Sequence, residues 1–226
     1  MLSESCNVQS LYELNLDCME WRQLHPAGLS PLACDKLVSW CYDNAFYVFG
    51  GFGPWPEHVT DYTGVTFTVD PRAGDRRGWN NQLVRRLFVF GGRMGHRLND
   101  LHCLDLDTAH WTHLEAADPA APLPQGRSWH SVTPLLDDQL LIYGGFNDMD
   151  EPLDDPWVYE VDAARWRSVH SWLPAPAVRM WHTAAAAAPG EVHVLGGLET
   201  SIFARRPAHF ASRVVVIQRT PKSLLR

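Results

Sequence analysis

Four short apolar segments that each run into a pair of glycines recur along the 226-residue chain and constrain its fold more than any other feature. Their sequences are FYVFGG, LFVFGG, LLIYGG and VHVLGG, and the second glycines are Gly51, Gly92, Gly145 and Gly197. Each segment has the length and composition of a buried β-strand that stops at a turn. The second glycines are 41, 53 and 52 residues apart, which predicts one structural unit repeated about every 50 residues.

Other motifs keep a constant order around the glycine pairs. An alternating segment that ends in aspartate follows the pair, at 99–107 and again at 154–162, and a tryptophan lies four residues further on, Trp111 or Trp166. A loop containing proline and an Arg-x-Trp-His motif complete the unit. No window of the sequence sustains the 3.6-residue periodicity of a helix. Each unit is therefore predicted to be four short antiparallel strands without a helix.

The Arg-x-Trp-His motif occurs first in GRSWHS and again in VRMWHT, where its arginine, tryptophan and histidine lie 52 positions later. An active site is seldom copied at a fixed period. Arg127 and His130 are therefore predicted to belong to the frame of the repeat and to hydrogen-bond to neighbouring strands. Ser128 is different, because its equivalent in the later motif is Met180. Since the repeat does not require a serine there, Ser128 is a candidate functional residue.

A four-stranded unit of about 50 residues with a glycine pair and a tryptophan at fixed places resembles the kelch motif, which forms one blade of a β-propeller. The resemblance implies an all-β kelch propeller over residues 1–226 that is incomplete, with about four blades, several of them partial. The glycine pair would permit positive φ angles and close packing between blades. The tryptophan would supply the apolar face that one blade presents to the next.

The first interval between glycine pairs is irregular in content as well as in length. The aspartate, the tryptophan strand and the Arg-x-x-His strand that should lie between Gly51 and Gly92 are missing. Residues 52–84 are predicted to be a long loop and a degenerate blade segment. A segment lost near residues 84–85, by splicing or through a gene-model error, is favoured over a natively degenerate blade. The chain is also expected to begin in the middle of a blade.

Composition excludes several classes of function. A net charge of −7 argues against nucleic acid as the main partner. The sequence has no secretory signal and no apolar stretch long enough to span a membrane, and its five cysteines never form a CxxC pair. These features predict a cytoplasmic and nuclear protein with no metal and no cofactor. The acidic run at 147–155 lacks the glycine and terminal glutamate of an EF-hand loop, which predicts a solvated loop.

Segments outside the repeat frame carry a more specific resemblance. The sequences CDKL (34–37), RGWNN (77–81), FGGRMGHRLNDL (90–101), GRSWHS and the tail from 206 to 226 are similar to the kelch domain-containing substrate receptors of cullin-2 ubiquitin ligases. That resemblance implies a protein that is not an enzyme and that binds the C-terminal diglycine of client proteins. Its implied partners are elongin B/C and cullin-2. The exit from the propeller is expected at 219–226, without the ligase-binding helices, so this chain is expected not to recruit a ligase.

The resemblance also implies a set of site residues. For the terminal carboxylate they are Arg93, Arg97 and Ser128, and for the pocket wall they are Lys36, Phe52, Trp79 and Trp129. The chemistry agrees with these assignments, because guanidinium groups bind a carboxylate bidentately and keep their own charge. Tryptophan walls close to the chain end would exclude side chains and so select glycine.

Two other classes of function remain open at the level of sequence. A kelch scaffold could bind folded partners through its loops, and it would be indifferent to whether a peptide ends in a carboxylate or an amide. A propeller enzyme is the second alternative. The sequence offers little support for it, since it has no GxSxG motif, no phosphate-binding loop and no histidines paired at metal-binding spacing.

Overall fold

The structure is a computed structural model that describes 10–15, 17–25, 37–42, 45–54, 60–62, 66–69, 86–173, 175, 177–201, 207 and 209–219. For residues 40–42, 45–46, 52–54, 60–62 and 66–69 the description covers only the backbone. The chain divides into two compact units, Met1–Gln82 and Leu83–Arg226.

The first unit contains seven described strands in three small antiparallel sheets. β1 (Leu11–Asn15) pairs with β2 (Glu20–Leu24), and β5 (Phe52–Pro54) pairs with β6 (Thr60–Tyr62). The third sheet has the order β3-β4-β7 and is formed by β3 (Val38–Tyr42), β4 (Ala45–Phe49) and β7 (Thr66–Val69). Three short strands, β5 to β7, thus lie within residues 52–84.

The described part of the second unit contains ten strands in three antiparallel sheets. The first sheet comprises β8 (Arg86–Met94), β9 (His96–Asp105) and β10 (His110–Leu114). The second comprises β11 (Ser131–Leu136), β12 (Gln139–Tyr143), β13 (Trp157–Glu160) and β14 (Arg165–Ser168) in sequential order. The third comprises β15 (Thr183–Ala188), β16 (Glu191–Leu195) and β17 (Val215–Gln218). The described residues contain one helix, a single 3-10 turn at His170–Trp172, so the predicted all-β fold class is confirmed.

The glycine pairs end three of the four apolar strands, as predicted. β4, β12 and β16 each end at the residue immediately before their glycine pair. The prediction of a stop at Gly91–Gly92 is wrong, because β8 continues through both glycines to Met94. A register shift between Phe90 and Gly92 absorbs the pair, and the chain reverses at Gly95, whose φ is 74°. A bulge lets a strand bend and continue, so a glycine pair need not terminate it.

The four-stranded sheet is buried on both faces. Its strand β12 is buried at every position, which explains why its sequence is continuously apolar. On one face it packs against the sheet of β8 to β10, in a cluster of Phe90, Leu101, Leu140, Ile142, Tyr159 and Trp166. Trp166 lies 5.1 Å from the Phe90 ring of the neighbouring sheet, so the repeated tryptophan joins sheets as predicted. On the other face the sheet packs against β15 to β17.

Backbone hydrogen bonds between sheets confirm that positions in consecutive repeats are equivalent. The Gly92 amide donates to the Arg127 carbonyl at 2.9 Å, and the Gly145 amide donates to the Arg179 carbonyl at 2.7 Å. These two glycine pairs therefore contact the Arg-x-Trp-His motif that follows each of them in the sequence. Ser128 forms a β-bridge with Phe146, and its equivalent Met180 forms one with Leu198.

The frame interpretation of the repeated arginines is confirmed by their ion pairs. The fully buried Arg127 donates from both terminal nitrogens to the two Asp155 oxygens at 2.8 Å each, and Arg179 pairs with Glu199. Asp155 belongs to the acidic run at 147–155. The run is a loop between strands with half-exposed carboxylates at Asp148 and Asp150, as predicted, and it also supplies the counter-charge that an interior arginine needs.

Candidate ligand-binding site

The β8–β9 hairpin positions the two candidate arginines. Arg93 and Arg97 are directly opposite each other across the hairpin, on either side of the turn at Gly95. Their environments differ sharply. Arg93 is exposed, and within the described part of the chain it has no hydrogen bond or ion pair. The Arg97 side chain is only 4% exposed. A charged group at such depth requires partners.

The first partner of Arg97 comes from the next repeat unit. Its Nε donates to the Ser128 hydroxyl oxygen at 3.2 Å, and Ser128 is itself buried. The guanidinium carbon lies 4.6 Å from the centre of the Phe146 ring, which is a cation–π contact. Ser128 and Phe146 are held together by their β-bridge. The strand pairing of the second unit thus brings the arginine, the serine and the phenylalanine to one place.

An aromatic row extends away from the arginine. The Trp129 ring stacks on Phe146 with centroids 5.3 Å apart, and Trp181 packs on Trp129 at 4.8 Å. Both tryptophans have left-handed backbones, with φ of 59° and 56°, a costly conformation for a bulky residue. Because it occurs at equivalent positions 52 residues apart, this conformation belongs to the repeat. Its effect is to align tryptophans from consecutive units in one row.

An acidic turn, residues 147–151, closes over the other side of Arg97. Both carboxylate oxygens of Asp148 accept from the Arg97 backbone amide, at 2.9 and 3.1 Å, and one of them accepts from Nη1 at 3.3 Å. Asp150 lies 3.8 Å from Nη2, beyond hydrogen-bond distance. The Asp148 and Asp150 side chains are each 52% exposed. Arg97 is therefore enclosed by carboxylates that are themselves open to solvent.

Two half-buried histidines of the repeat frame, His130 and His182, directly follow the two tryptophans in the sequence. Burial lowers the pKa of His130 to about 3 and that of His182 to about 4, with Arg127 and Arg179 respectively adding to the effect. Both rings are therefore neutral at physiological pH. His182 is hydrogen-bonded to the Ser131 hydroxyl at 2.8 Å and His130 to the Phe90 backbone, which fits a structural role.

The structure brings together three of the seven predicted site residues: Arg97, Ser128 and Trp129. Arg93 lies opposite Arg97 on the same hairpin. The backbone of Phe52 is in β5, and its side chain is not described. Lys36 and Trp79 lie outside the described residues.

Three residues of this site were not predicted from the sequence: Asp148, Phe146 and Trp181. Trp181 had a signal, since it repeats Trp129 after 52 residues. Asp148 lay in an acidic run that the sequence does not connect to Arg97, 51 residues away. Within the described part of the chain no group of three or more histidine, cysteine, aspartate or glutamate residues could hold a metal ion. No helix among the described residues has the length and apolar character to cross a membrane.

Comparison with known families gives a match over most of the chain. The profile of the KLHDC2/KLHL20/DRC7 Kelch-repeats domain matches residues 2–145 and, in a second overlapping match, residues 79–206.

Two similar curated proteins share about a third of their aligned residues with the chain. It is 33% identical over 245 residues to kelch domain-containing protein 2 of Bos taurus, covering 92% of this chain and 58% of that protein. It is 31% identical over 235 residues to kelch domain-containing protein 1 of Homo sapiens, covering 88% and 56%. The chain thus spans little more than half the length of these relatives.

Among solved structures, one titled "Structure of YjhT" has a similar fold. The superposition has a TM-score of 0.60 with 15% sequence identity, and it covers 84% of this chain and 67% of the other. At this level of identity the similarity concerns the fold alone.

Proposed function

Since the chain belongs to the kelch-repeat family and is related to kelch domain-containing proteins 2 and 1, we propose that it binds the C-terminal carboxylate of client proteins ending in Gly-Gly. Arg97 is the main charged donor, Ser128 adds a hydroxyl, and Arg93 reaches the carboxylate from the opposite strand of the hairpin. The mode of recognition is carboxylate capture at a chain terminus.

The single observation that carries this proposal is the contact between Arg97 and Ser128. The two residues come from different repeat units, and the repeat does not require the serine, whose equivalent is Met180. A frame residue would recur, as Arg127 does in Arg179. A buried guanidinium beside a hydroxyl that is not part of the frame can bind a carboxylate through charge-assisted hydrogen bonds.

The wall of the proposed site selects the small terminal residues. Trp129 stands beside the Arg97–Phe146 contact, and an aromatic surface at this distance leaves little room for a ligand side chain. Following the family resemblance, Lys36, Phe52 and Trp79 complete the wall. Glycine is then favoured at the last two ligand positions because larger residues are excluded.

The wider role that we propose is that of a substrate receptor of a cullin-2 ubiquitin ligase. In that role the propeller binds the client, elongin B/C and cullin-2 bind elsewhere in the full-length protein, and the protein works in the cytoplasm and nucleus. It needs no catalytic residue, cofactor or nucleic acid. The alignment to the Bos taurus relative spans 245 residues, more than the 226 of this chain, which supports the proposed loss of an internal segment.

The test is peptide binding by fluorescence polarisation. A labelled peptide ending in Gly-Gly should bind, whereas the same peptide amidated or extended by one residue should not. Arg97→Ala should weaken binding by about 2–5 kcal/mol, because the carboxylate loses its charged partner. The matched control is Arg165→Ala, which removes an exposed arginine of the second compact unit whose ion-pair partner among the described residues is Glu160.

Equal binding of the three peptides by folded protein would eliminate carboxylate recognition and leave the kelch scaffold as the better account. An unchanged affinity in Arg97→Ala would remove Arg97 from the site. The same measurements should be made on a chain with the segment near residue 84 restored, so that an incomplete wall is not mistaken for a wrong ligand.

A further inference from the structure

The acidic turn at 147–151 makes contacts that a plain loop of the repeat would not make. We propose that Asp148 and Asp150 are specificity-determining residues of the Arg97 site. They hold the guanidinium in the free protein and select a ligand whose terminal carboxylate is accompanied by a positive charge. This inference rests on the proposed function and adds to it the chemical class of the ligand.

A ligand carboxylate would compete with Asp148 and Asp150 for the N–H donors of Arg97. Arg97 has five N–H donors on its guanidinium. Nε is used by Ser128, and Nη1 donates to Asp148. Nη2 faces Asp150 at 3.8 Å. A ligand carboxylate must therefore bind at the Nη2 edge, where it meets Asp150, or share Nη1 with Asp148. In both cases it contends with a carboxylate that is already present.

The acidic turn at 147–151 is held in place independently of the Arg97 guanidinium. The Asn147 carboxamide oxygen accepts from the amides of Met149 and Glu151, each at 3.0 Å. Asn147 is buried, and its backbone carbonyl also accepts from the Asp150 amide at 3.1 Å. Asp148 further keeps its bonds to the Arg97 backbone amide, which a ligand does not touch. The acids therefore remain beside the ligand after it binds.

Binding of a carboxylate changes the net charge of the site. In the free protein Arg93 and Arg97 contribute two positive charges, and Asp148 and Asp150 contribute two negative charges. A bound carboxylate raises the negative charges to three against two positive charges. Like charges placed together at a binding site disfavour a partner. A basic side chain on the ligand restores the balance.

The exposure of the groups shows where that basic side chain would lie. Arg97 is almost fully enclosed, whereas the Asp148 and Asp150 carboxylates are each 52% exposed. The two acids therefore form the solvent-facing rim of the site. A lysine or arginine a few residues before the ligand terminus can reach this rim while the terminal carboxylate occupies Arg97.

The experiment compares three peptides that end in Gly-Gly and carry two lysines, two glutamines or two glutamates immediately before it, each as free acid and as amide. Binding is measured with the unsubstituted chain, with D148N/D150N and with the control D137N/D138N. The control removes the same two charges from the β11–β12 turn of the same unit. D150N alone is included because Asp150 makes no hydrogen bond to the hairpin backbone.

The unsubstituted chain and the control should bind the lysine peptide roughly tenfold more tightly than the glutamate peptide. In D148N/D150N that ratio should fall to about two, and D150N should lie between. The glutamine peptide, which is neutral at these positions, should bind to D148N/D150N roughly threefold more tightly than it binds to the unsubstituted chain, because the competing carboxylates are gone.

A lysine-to-glutamate ratio that stays the same in D148N/D150N, with free acids still preferred over amides, would overturn this inference alone. A lower affinity of D148N/D150N for the neutral peptide would also overturn it, since the acids would then orient Arg97 and would not compete. If no protein distinguishes acid from amide, the proposed function fails and this inference fails with it.

Discussion

Arg127 shows how a single buried charge is accommodated in the repeat frame. Its guanidinium is fully buried and forms a fork-to-fork pair with Asp155, and Nη1 also donates to the Gly144 carbonyl at 3.1 Å. Arg127, which precedes β11, is therefore bonded both to Asp155, just before β13, and to Gly144, just after β12. Replacing both members of such a pair by apolar residues can be neutral, but removing one leaves an unpaired charge.

We predict that Arg127→Ala is strongly destabilising. The substitution leaves the Asp155 carboxylate without its partner. Because that side chain is 28% exposed and so partly solvated, we expect a loss of about 3 kcal/mol in the free energy of unfolding. Arg165→Ala is the matched control, since the Arg165 side chain is 63% exposed and such pairs contribute at most about 1 kcal/mol. Chemical denaturation measures both. Equal losses would show that the buried pair has no special role.

At the scale of the element, the glycine pair determines how closely consecutive sheets approach. Gly91 has a φ of 62°, and a Cβ added there would lie 2.7 Å from the Arg127 carbonyl oxygen and 2.9 Å from that of Leu98. Leu98 lies in β9, and the Arg127 carbonyl is held by its hydrogen bond from the Gly92 amide, so neither backbone atom can move freely. Gly91 is thus needed for sheet-to-sheet contact even in β8, where the glycine pair does not end the strand.

Gly91→Ala is accordingly predicted to cost more than its backbone conformation alone explains. Gly95→Ala is the control, because Gly95 also has a left-handed φ, 74°, but a Cβ there would meet no atom within 4 Å. The left-handed conformation costs about 1–2 kcal/mol in both variants. We expect Gly91→Ala to lose at least about 2 kcal/mol more in denaturant titrations, because the added methyl group clashes with backbone. Similar losses would argue against close packing at this glycine.

At the scale of the whole molecule, the half-buried histidines His130 and His182 make stability depend on pH. The pKa of His130 is lowered to about 3 and that of His182 to about 4, from an ordinary value of 6.5, chiefly by burial. Below pH 6.5 the unfolded chain takes up protons that the folded chain does not. The stabilising contribution is therefore complete above pH 6.5 and declines as the pH falls towards 4 and then 3.

We predict that the free energy of unfolding falls between pH 6.5 and 5 with a slope approaching about 1.4 kcal/mol per pH unit for each of the two histidines. His182→Gln should remove about half of that slope. His110→Gln should not, because His110 is exposed. Denaturant titrations at several pH values check this. A stability that is constant across the window would mean that the folded state accepts the protons.

The sequence alone determined the repeat, the strand character and the equivalence of positions. Arg127 with Arg179 and Ser128 with Met180 were matched by their 52-residue spacing, and sheet-to-sheet hydrogen bonds reproduce those matches. Periodicity predicts such features because strands, glycine turns and interior arginines obey local rules that each unit repeats. The family resemblance added Arg97, Ser128 and Trp129, which the structure brings to one place.

Only the tertiary structure decided how charge is distributed around Arg97. The difference between the buried Arg97 and the exposed Arg93, four residues apart, follows from the packing of the β8–β9 hairpin against the next unit. Asp148 pairs with an arginine 51 residues away, and Phe146 reaches the same guanidinium through its bridge to Ser128. Such contacts depend on which sheets meet and at what register. No local sequence pattern encodes that, because it is fixed by packing between units.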